Sequence, residues 1–257
     1  MAGVRSLLYT DRDTRNLIAA GSNVASSAIA IDGPVASGKS SVGSRVAAAL
    51  GWPFVDTGTM YRAITWLALH RGLDVHDAAR VSALAEAATM RVRPPAHGST
   101  EYAAVQVDGE DATPFLRTPP VERSVSVVSA LPRVRRRMVG LQRELAADHP
   151  VVMAGRDIGT VVLPDAGLKI FLDATAESRA QRRAAELARR GHAAPPGAVL
   201  AETLERDRLD SERADSPLVA AVDAVVLKTD GIGEDEVVAR VLELARQRFG
   251  ARVRPAR

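Results

Sequence analysis

The amino-acid sequence predicts an α/β fold of three layers, in which helices cover both faces of a parallel five-stranded sheet. Five short apolar runs alternate along the chain with segments whose apolar residues recur at helical spacing. The apolar runs lack alternating polar residues, which is typical of strands buried on both faces. Hydrophobic residues make up 46% of the 257 residues and aromatic residues only 4%, so the sequence predicts a sizeable aliphatic core.

The first strand is predicted over residues 27–33 (SAIAIDG), and a helix follows over SSVGSRVAAALG, where Gly51 is the stop signal. Further strands are predicted over 53–58, 150–155, 168–174 and 223–230. The helices between and after them are predicted over TMYRAITWLALHRG, PRVRRRMVGLQRELAAD, AESRAQRRAAELARRG and EDEVVARVLELARQRFG.

Two segments interrupt this alternation. Residues 88–117 contain VQVDGEDAT, whose alternating apolar positions around Asp108-Gly109 predict a hairpin and a small antiparallel insert. Residues 191–199 (GHAAPPGAV) follow an arginine-rich helix and are rich in Pro and Gly, which predicts an irregular, mobile flap.

The two ends of the chain are predicted to lie outside the folded domain. Residues 1–27 are expected to be a loosely ordered extension or the result of a mis-chosen start codon, and 251–257 are expected to form a tail. The folded domain is therefore expected over 28–250.

The most informative motif lies between the first strand and the first helix. Gly33-x4-Gly38-Lys39-Ser40 matches the phosphate-binding loop GxxxxGK[ST], and both flanking elements are those that the loop requires. Its backbone N–H groups and the helix dipole favour a phosphate, and the glycines allow close approach. Lys39 supplies positive charge between the β- and γ-phosphates, and the Ser40 hydroxyl can reach Mg²⁺ directly or through water.

Other classes of nucleotide-binding protein fit less well. A GTPase switch needs [NT]KxD to read its base, but Leu227 precedes Lys228 here, and no DxxG follows the loop. A motor ATPase usually has an acidic residue directly after its strand, whereas Gly155 and Arg156 precede Asp157. These differences favour an enzyme that transfers the phosphoryl group.

Arginines support transfer between two phosphates. Arg62 and Arg156 follow predicted strands, at the sheet edge where α/β proteins bind ligands. Bringing two polyanions together requires positive charge, and an acceptor phosphate needs no general base. The five histidines accordingly show neither metal nor triad spacing.

Several longer motifs resemble bacterial cytidylate kinases, which are nucleoside monophosphate kinases with a P-loop NTPase fold. The motifs are IDGPVASGKSSV, LGWPFVDTGTMYRA, LPRVRRRMVGLQR, GRDIGTVVLPDAGLKIFLDA and ERDRLDSER, and the resemblance extends from about Ile29 to about Phe249. The insert at 88–117 is similar to the extended monophosphate-binding region of that family. The resemblance implies that this region for the phosphate acceptor spans about 57–130 and that a helical lid spans about 179–200. The resemblance implies phosphorylation of CMP and dCMP by ATP with Mg²⁺.

The resemblance also implies residue roles. It gives ATP binding to the loop Gly33, Pro34, Val35, Ala36, Ser37, Gly38, Lys39, Ser40 and Ser41, and cytosine recognition to Thr57, Arg135 and Asp157. It gives ribose binding to Ser126, Arg206 and Asp210, and it adds Tyr61 to the CMP-binding residues. Binding of the acceptor phosphate or the moving phosphoryl group is assigned to Arg62, Arg156 and Arg213. Arg182 and Arg183 are assigned to the lid that closes over ATP.

The base assignment has a physical basis. The Asp157 carboxylate can accept from the cytosine N4 amino group, and the Arg135 guanidinium can donate to N3 and O2, whereas uracil presents O4 to the carboxylate. Asp157 could instead orient Arg156. Two further alternatives stay open: a kinase for UMP or AMP, and a nucleotide-binding regulator without turnover.

The remaining expectations concern surroundings and partners. The chain has no cysteine, which fits a reducing cytoplasm, and no apolar run reaches the roughly 18 residues of a membrane span. The net charge is +3, and nearly all of the positive charge comes from arginines. These arginines are spread among acidic residues, and no aromatic residues on which bases could stack are interleaved with them, which argues against nucleic-acid binding. We therefore expect a monomer whose partners are ATP, CMP and dCMP, without nucleic acid or membrane.

Overall fold

The structure is a computed structural model that describes residues 27–95, 99, 101–192 and 194–250. The expected extension and tail lie outside the described residues, apart from Ser27. The chain divides into two compact units: residues 27–54 with 151 onwards, called here the sheet unit, and residues 55–150, called the insert unit.

The elements in chain order are β1 (Ala28–Asp32), α1 (Lys39–Leu50), β2 (Phe54–Asp56), α2 (Thr57–His70), α3 (Ala78–Ala87), β3 (Met90–Arg93), β4 (Ala104–Val107), β5 (Glu110–Asp111), α4 (Pro119–Ala130), α5 (Pro132–Leu145), β6 (Val151–Ala154), β7 (Leu168–Asp173), α6 (Ala176–Arg189), α7 (Pro196–Glu212), β8 (Val225–Lys228) and α8 (Glu234–Phe249). A short 3₁₀ turn lies at Thr113–Phe115, and a π-helical turn at Ile158–Val162.

The predicted five-stranded parallel sheet is confirmed, with the strand order β2-β6-β1-β7-β8. β1 lies at the centre and pairs in parallel with β6 on one side and β7 on the other, while β8 pairs in parallel with β7. All five residues of β1 and all four of β6 are buried, as the continuous apolar runs predicted. The phosphate loop therefore leaves the middle of the sheet.

The core of the sheet unit is aliphatic, as the composition predicted. Side chains of β1, β6 and β7 pack with α1 and α8 in one buried cluster that includes Ile29, Val46, Ile170 and Val241. The few aromatic residues lie at its border, where Trp52 meets Phe249 edge-on with ring centroids 5.5 Å apart. This packing fixes α1 and hence the loop before it.

The insert unit contains the predicted antiparallel insert, which is a three-stranded sheet in the order β3-β4-β5. The hairpin turn is Asp108-Gly109, and both residues have positive φ (51° and 84°), as a type I′ turn requires. The Asp108 side chain also accepts from the Thr89 N–H at 2.9 Å. The buried Val105 and Val107 show that β4 presents one face to the interior.

Three helices were not among the sequence predictions: α3, α4 and α7. The expectation of irregular structure over 191–199 is wrong at its end, because α7 already begins at Pro196. Pro195 and Pro196 occupy the N-cap and first helical position, where a missing N–H removes no helical hydrogen bond. In the described part of the chain, no helix is long and apolar enough to cross a membrane.

Gly33 provides a test of the close approach between the loop and β7. A Cβ at this position would lie 2.2 Å from the Leu172 carbonyl oxygen, and φ is +148°. We expect Gly33→Ala to lower the free energy of unfolding by about 2–4 kcal/mol. Gly51→Ala is the matched control, because φ there is +66° but nothing lies within 4 Å, so the cost should be about 1 kcal/mol. Urea unfolding measures both, and equal losses would contradict the steric argument.

Candidate active site

The phosphate loop is closed by its own lysine. Lys39 is the first residue of α1 and is only 7% exposed. Its Nζ donates to the Pro34 carbonyl oxygen at 2.5 Å and to Ser37 Oγ at 3.3 Å, so the ammonium lies over the loop. The predicted residues 33–38 join β1 to α1, and Lys39, Ser40 and Ser41 form the first turn of the helix.

The backbone of the phosphate loop has a positive φ not only at the two glycines, Gly33 and Gly38, but also at a third residue. Gly38 has φ 94°, and Ala36, which carries a Cβ, has φ 56°. A non-glycine residue in the left-handed region is strained, and such strain concentrates at ligand sites. The α1 N-terminus that follows has no side-chain cap, and a helix N-terminus, with its positive dipole end, is a common binding site for an anion.

A second part of the site follows β6. The Gly155 N–H donates to the Ile31 carbonyl oxygen at 3.0 Å, which brings Arg156 and Asp157 next to the end of β1. There, the Asp32 carboxylate accepts from the Ile158 N–H at 2.8 Å and the Gly159 N–H at 2.7 Å. Burial raises the pKa of Asp32 to about 6, although both N–H groups act in the opposite direction. Asp32 was not predicted as a site residue.

Residues predicted from separate motifs meet around Asp210. Its carboxylate accepts from Arg156 Nε at 2.7 Å and lies 3.7 Å from Arg213 Nη1. Burial acts to raise the pKa of Asp210, but the charges of Arg156, Arg206 and Arg213 outweigh it and hold the pKa below its usual value. The carboxylate that orients Arg156 is thus on α7, and Asp210 stays ionised between the arginines.

Three arginines of α6 have different environments. Arg182 donates to the carbonyl oxygen and the hydroxyl of Thr229, at 2.6 and 3.0 Å, and Arg183 pairs with Glu186 at 2.9 Å. Arg179, which the sequence analysis did not place in the site, donates to the Val35 carbonyl oxygen of the phosphate loop at 3.2 Å. It also forms a two-pronged pair with Asp207. In this conformation Arg179 therefore connects α6 to the phosphate loop.

The insert unit holds the other predicted CMP residues. Arg62 Nε donates to Glu122 Oε1 at 2.7 Å, which joins α2 to α4. Thr57 and Tyr61 lie on the first two turns of α2, and Ser126 lies one turn after Glu122 on α4. These contacts bring the α2 and α4 residues of the predicted site together.

Arg135 is the largest fully buried side chain of the insert unit. It is 2% exposed, its guanidinium lies 5.6 Å from the centre of the Tyr61 ring, and Nη1 donates to the Ser129 carbonyl oxygen at 3.2 Å. A buried guanidinium is costly unless its donors are occupied. Such a residue is well suited to recognise a planar polar ligand.

The oxygen ligands that the protein offers at the phosphate loop are compatible with a Mg²⁺ ion that binds together with a nucleotide. Among the described residues, no group of three or more His, Cys, Asp or Glu side chains could hold a metal ion. Mg²⁺ in kinases is held mostly by substrate phosphates and water, with only one or two protein ligands. A half-buried serine hydroxyl at the second position of α1, Ser40, meets that need.

Comparison with known proteins gives one consistent family. The family model described as Cytidylate kinase matches residues 29–247. The chain is 45% identical over 222 residues to a cytidylate kinase of Geobacillus kaustophilus, covering 86% of this chain and 97% of that one. It is 48% identical over 221 residues to a cytidylate kinase of Mycobacterium avium, covering 86% and 95%.

Proposed function

This chain belongs to the cytidylate kinase family, and from that membership we propose how its residues carry out the reaction. The enzyme transfers a phosphoryl group from ATP to CMP, which makes it a phosphotransferase with a phosphate group as acceptor. The further proposals are that dCMP is also an acceptor, and that the enzyme works as a cytoplasmic monomer in pyrimidine nucleotide metabolism. The observation that carries the mechanism is the arginine cluster around the buried Asp210.

The first step is binding of ATP by the phosphate loop. The N-terminus of α1 and the loop backbone are proposed to receive the β- and γ-phosphates. Lys39 Nζ, which lies over the loop, would exchange its bonds to Pro34 and Ser37 for phosphate oxygens. Mg²⁺ held at Ser40 would supply further positive charge to the phosphates when bound.

The second step is neutralisation of the repulsion between the two nucleotides. Arg156 and Arg213 are already oriented by one carboxylate. Phosphate oxygens are acceptors of the same kind as the Asp210 oxygens, so these arginines can bind a phosphate with little movement. Arg62, held by Glu122, is proposed to bind the acceptor phosphate in the same way. An oxygen of the acceptor phosphate then attacks the γ-phosphorus of ATP in line, while the bond from that phosphorus to the β–γ bridging oxygen breaks and ADP leaves. The acceptor oxygen is already anionic, so no general base is needed.

The remaining CMP contacts are proposed from the resemblance. Asp157, Arg135 and Thr57 would recognise cytosine, Ser126, Arg206 and Asp210 would bind the ribose, and Tyr61 would contribute through its stacking on Arg135. Arg182 and Arg183 are proposed to close the lid over ATP. Since Arg182 is bonded to Thr229 in the conformation described, a role in transfer requires that it leave Thr229.

The acceptor specificity is tested by measuring ADP release with ATP and CMP, dCMP, UMP or AMP. We expect turnover of both CMP and dCMP, and a kcat/KM for UMP and AMP at least about 100-fold lower than that for CMP, because a mismatched base leaves buried polar groups without partners. Best turnover with AMP would refute the base assignment. If the protein bound ATP but phosphorylated none of the four acceptors, the alternative of a nucleotide-binding regulator without turnover would be favoured.

The loop mechanism is tested by Lys39→Ala. Removal of the ammonium should lower kcat by about 100- to 1000-fold, since its charge acts on the group that moves. Lys228→Ala is the matched control, because Lys228 is an exposed lysine paired with Asp173 and should leave kcat unchanged. A near-normal kcat for Lys39→Ala would count against the mechanism.

The base assignment is tested by Asp157→Ala. Loss of the carboxylate should raise the KM for CMP by about tenfold or more and change the KM for ATP by less than about twofold. Asp165→Ala removes an exposed carboxylate and should change neither value. Equal weakening of both substrates by Asp157→Ala would instead indicate a structural aspartate.

A further inference from the structure

Asp32 connects the phosphate loop to the turn that follows β6. It is the last residue of β1, directly before Gly33, and is 4% exposed. Each of its carboxylate oxygens accepts one backbone N–H, from Ile158 at 2.8 Å and from Gly159 at 2.7 Å. Both donors lie directly after Arg156 and Asp157, although they are more than 120 residues away in sequence.

These two bonds perform a capping function for the π-helical turn Ile158–Val162. The first N–H groups of any helix lack partners within it, and an Asp at the N-cap ordinarily accepts from them. Asp157 occupies the N-cap position but makes no side-chain cap bond. Asp32 provides the cap from the neighbouring strand instead.

The fit around this cap is close. A Cβ on Gly159 would lie 3.3 Å from Asp32 Oδ2 and 3.1 Å from Cδ of Lys169. A side chain at residue 159 would therefore crowd both Asp32 and Lys169 and push at least one of them away from the turn. Asp32 also has to be ionised for this arrangement. The carboxylate offers one acceptor oxygen to each of the two N–H groups, whereas protonation turns one of these oxygens into a hydrogen-bond donor.

We propose that Asp32 is a positioning residue for acceptor recognition: by capping the turn from β1, it keeps the Asp157 carboxylate from capping its own turn and holds it in the orientation that recognises the acceptor base. This inference rests on the proposed function of Asp157. It also gives Asp32 a function distinct from ATP binding, although Asp32 adjoins the phosphate loop.

The test is Asp32→Asn. The amide keeps one acceptor oxygen and presents a donor to the other N–H, so Asp157 becomes the better cap for its own turn. The KM for CMP should rise by about tenfold to hundredfold, the preference for CMP over UMP should fall, and the KM for ATP should change by less than about twofold. Asp77→Asn is the control, because Asp77 caps α3 through the Arg80 N–H and lies outside the site.

A double-mutant cycle separates this role from a structural one. In an Asp157→Asn background, Asp32→Asn should have little further effect on the KM for CMP, because the carboxylate that it positions is gone. Additive losses, or equal weakening of CMP and ATP, would overturn the proposal. An Asp157→Asn variant that keeps normal CMP and UMP kinetics would overturn both the base assignment and this inference, whereas an effect of Asp157→Asn without one of Asp32→Asn would overturn this inference alone.

The pH profile gives an independent measurement. With the pKa of Asp32 at about 6, kcat/KM for CMP should fall in the wild-type enzyme as the pH drops through 6, since one capping bond is lost. The charged groups Asp157, Lys39 and Lys169 lie near Asp32, and the CMP phosphate changes its protonation in the same pH range, but all of them are present in both proteins. The ratio of wild type to Asp32→Asn should therefore decrease towards low pH, and a constant ratio would contradict the proposal.

A second variant keeps the proposal testable if Asp32→Asn does not fold. Gly159→Ala places a methyl group against Asp32 Oδ2 and the Lys169 side chain, so it loosens the same cap from the opposite side. We expect the same selective rise in the KM for CMP. An unchanged CMP-to-UMP preference in this variant would also overturn the proposal.

Discussion

The site depends on holding several guanidinium groups in place before a nucleotide neutralises them. Each is paired with an internal acceptor: Arg156 and Arg213 with Asp210, and Arg179 with Asp207. Buried charges are tolerated only in such pairs. Because the arginines lower the pKa of the buried Asp210, its charge persists at neutral pH and balances theirs. In the proposed mechanism, the negative charge of the acceptor phosphate would replace that of Asp210 as the partner of Arg156 and Arg213.

The sheet order determines which groups can meet. β1 lies between β6 and β7, so the phosphate loop leaves the sheet beside the Arg156–Asp157 turn. This is the edge at which parallel α/β sheets bind ligands. On the other side, Gly33 lies so close to the Leu172 carbonyl oxygen that a side chain would not fit. The loop is therefore constrained by both neighbouring strands.

The sequence was sufficient to predict the sheet, the phosphate loop and the Asp108-Gly109 hairpin, because each depends on a local pattern. It did not predict α4 or α7, which begin with prolines that also occur in turns. Asp32 and Arg179 were missed for another reason. Their partners, Ile158 and Asp207, are distant in sequence, and neither residue differs locally from a strand end or a helix-face arginine.

The helix α7 links the two parts of the sheet unit's site. Asp207 and Asp210 are three residues apart and so lie on neighbouring turns of one helical face. Asp207 holds Arg179, which contacts the loop at Val35, whereas Asp210 holds Arg156 after β6. In the proposed mechanism, a phosphate that binds Arg156 would compete with Asp210 and would leave the pair of Arg179 with Asp207 intact. The contact between α7 and the phosphate loop would then not depend on the acceptor, whereas the contact through Asp210, one turn later on the same helix, would change when the acceptor phosphate binds.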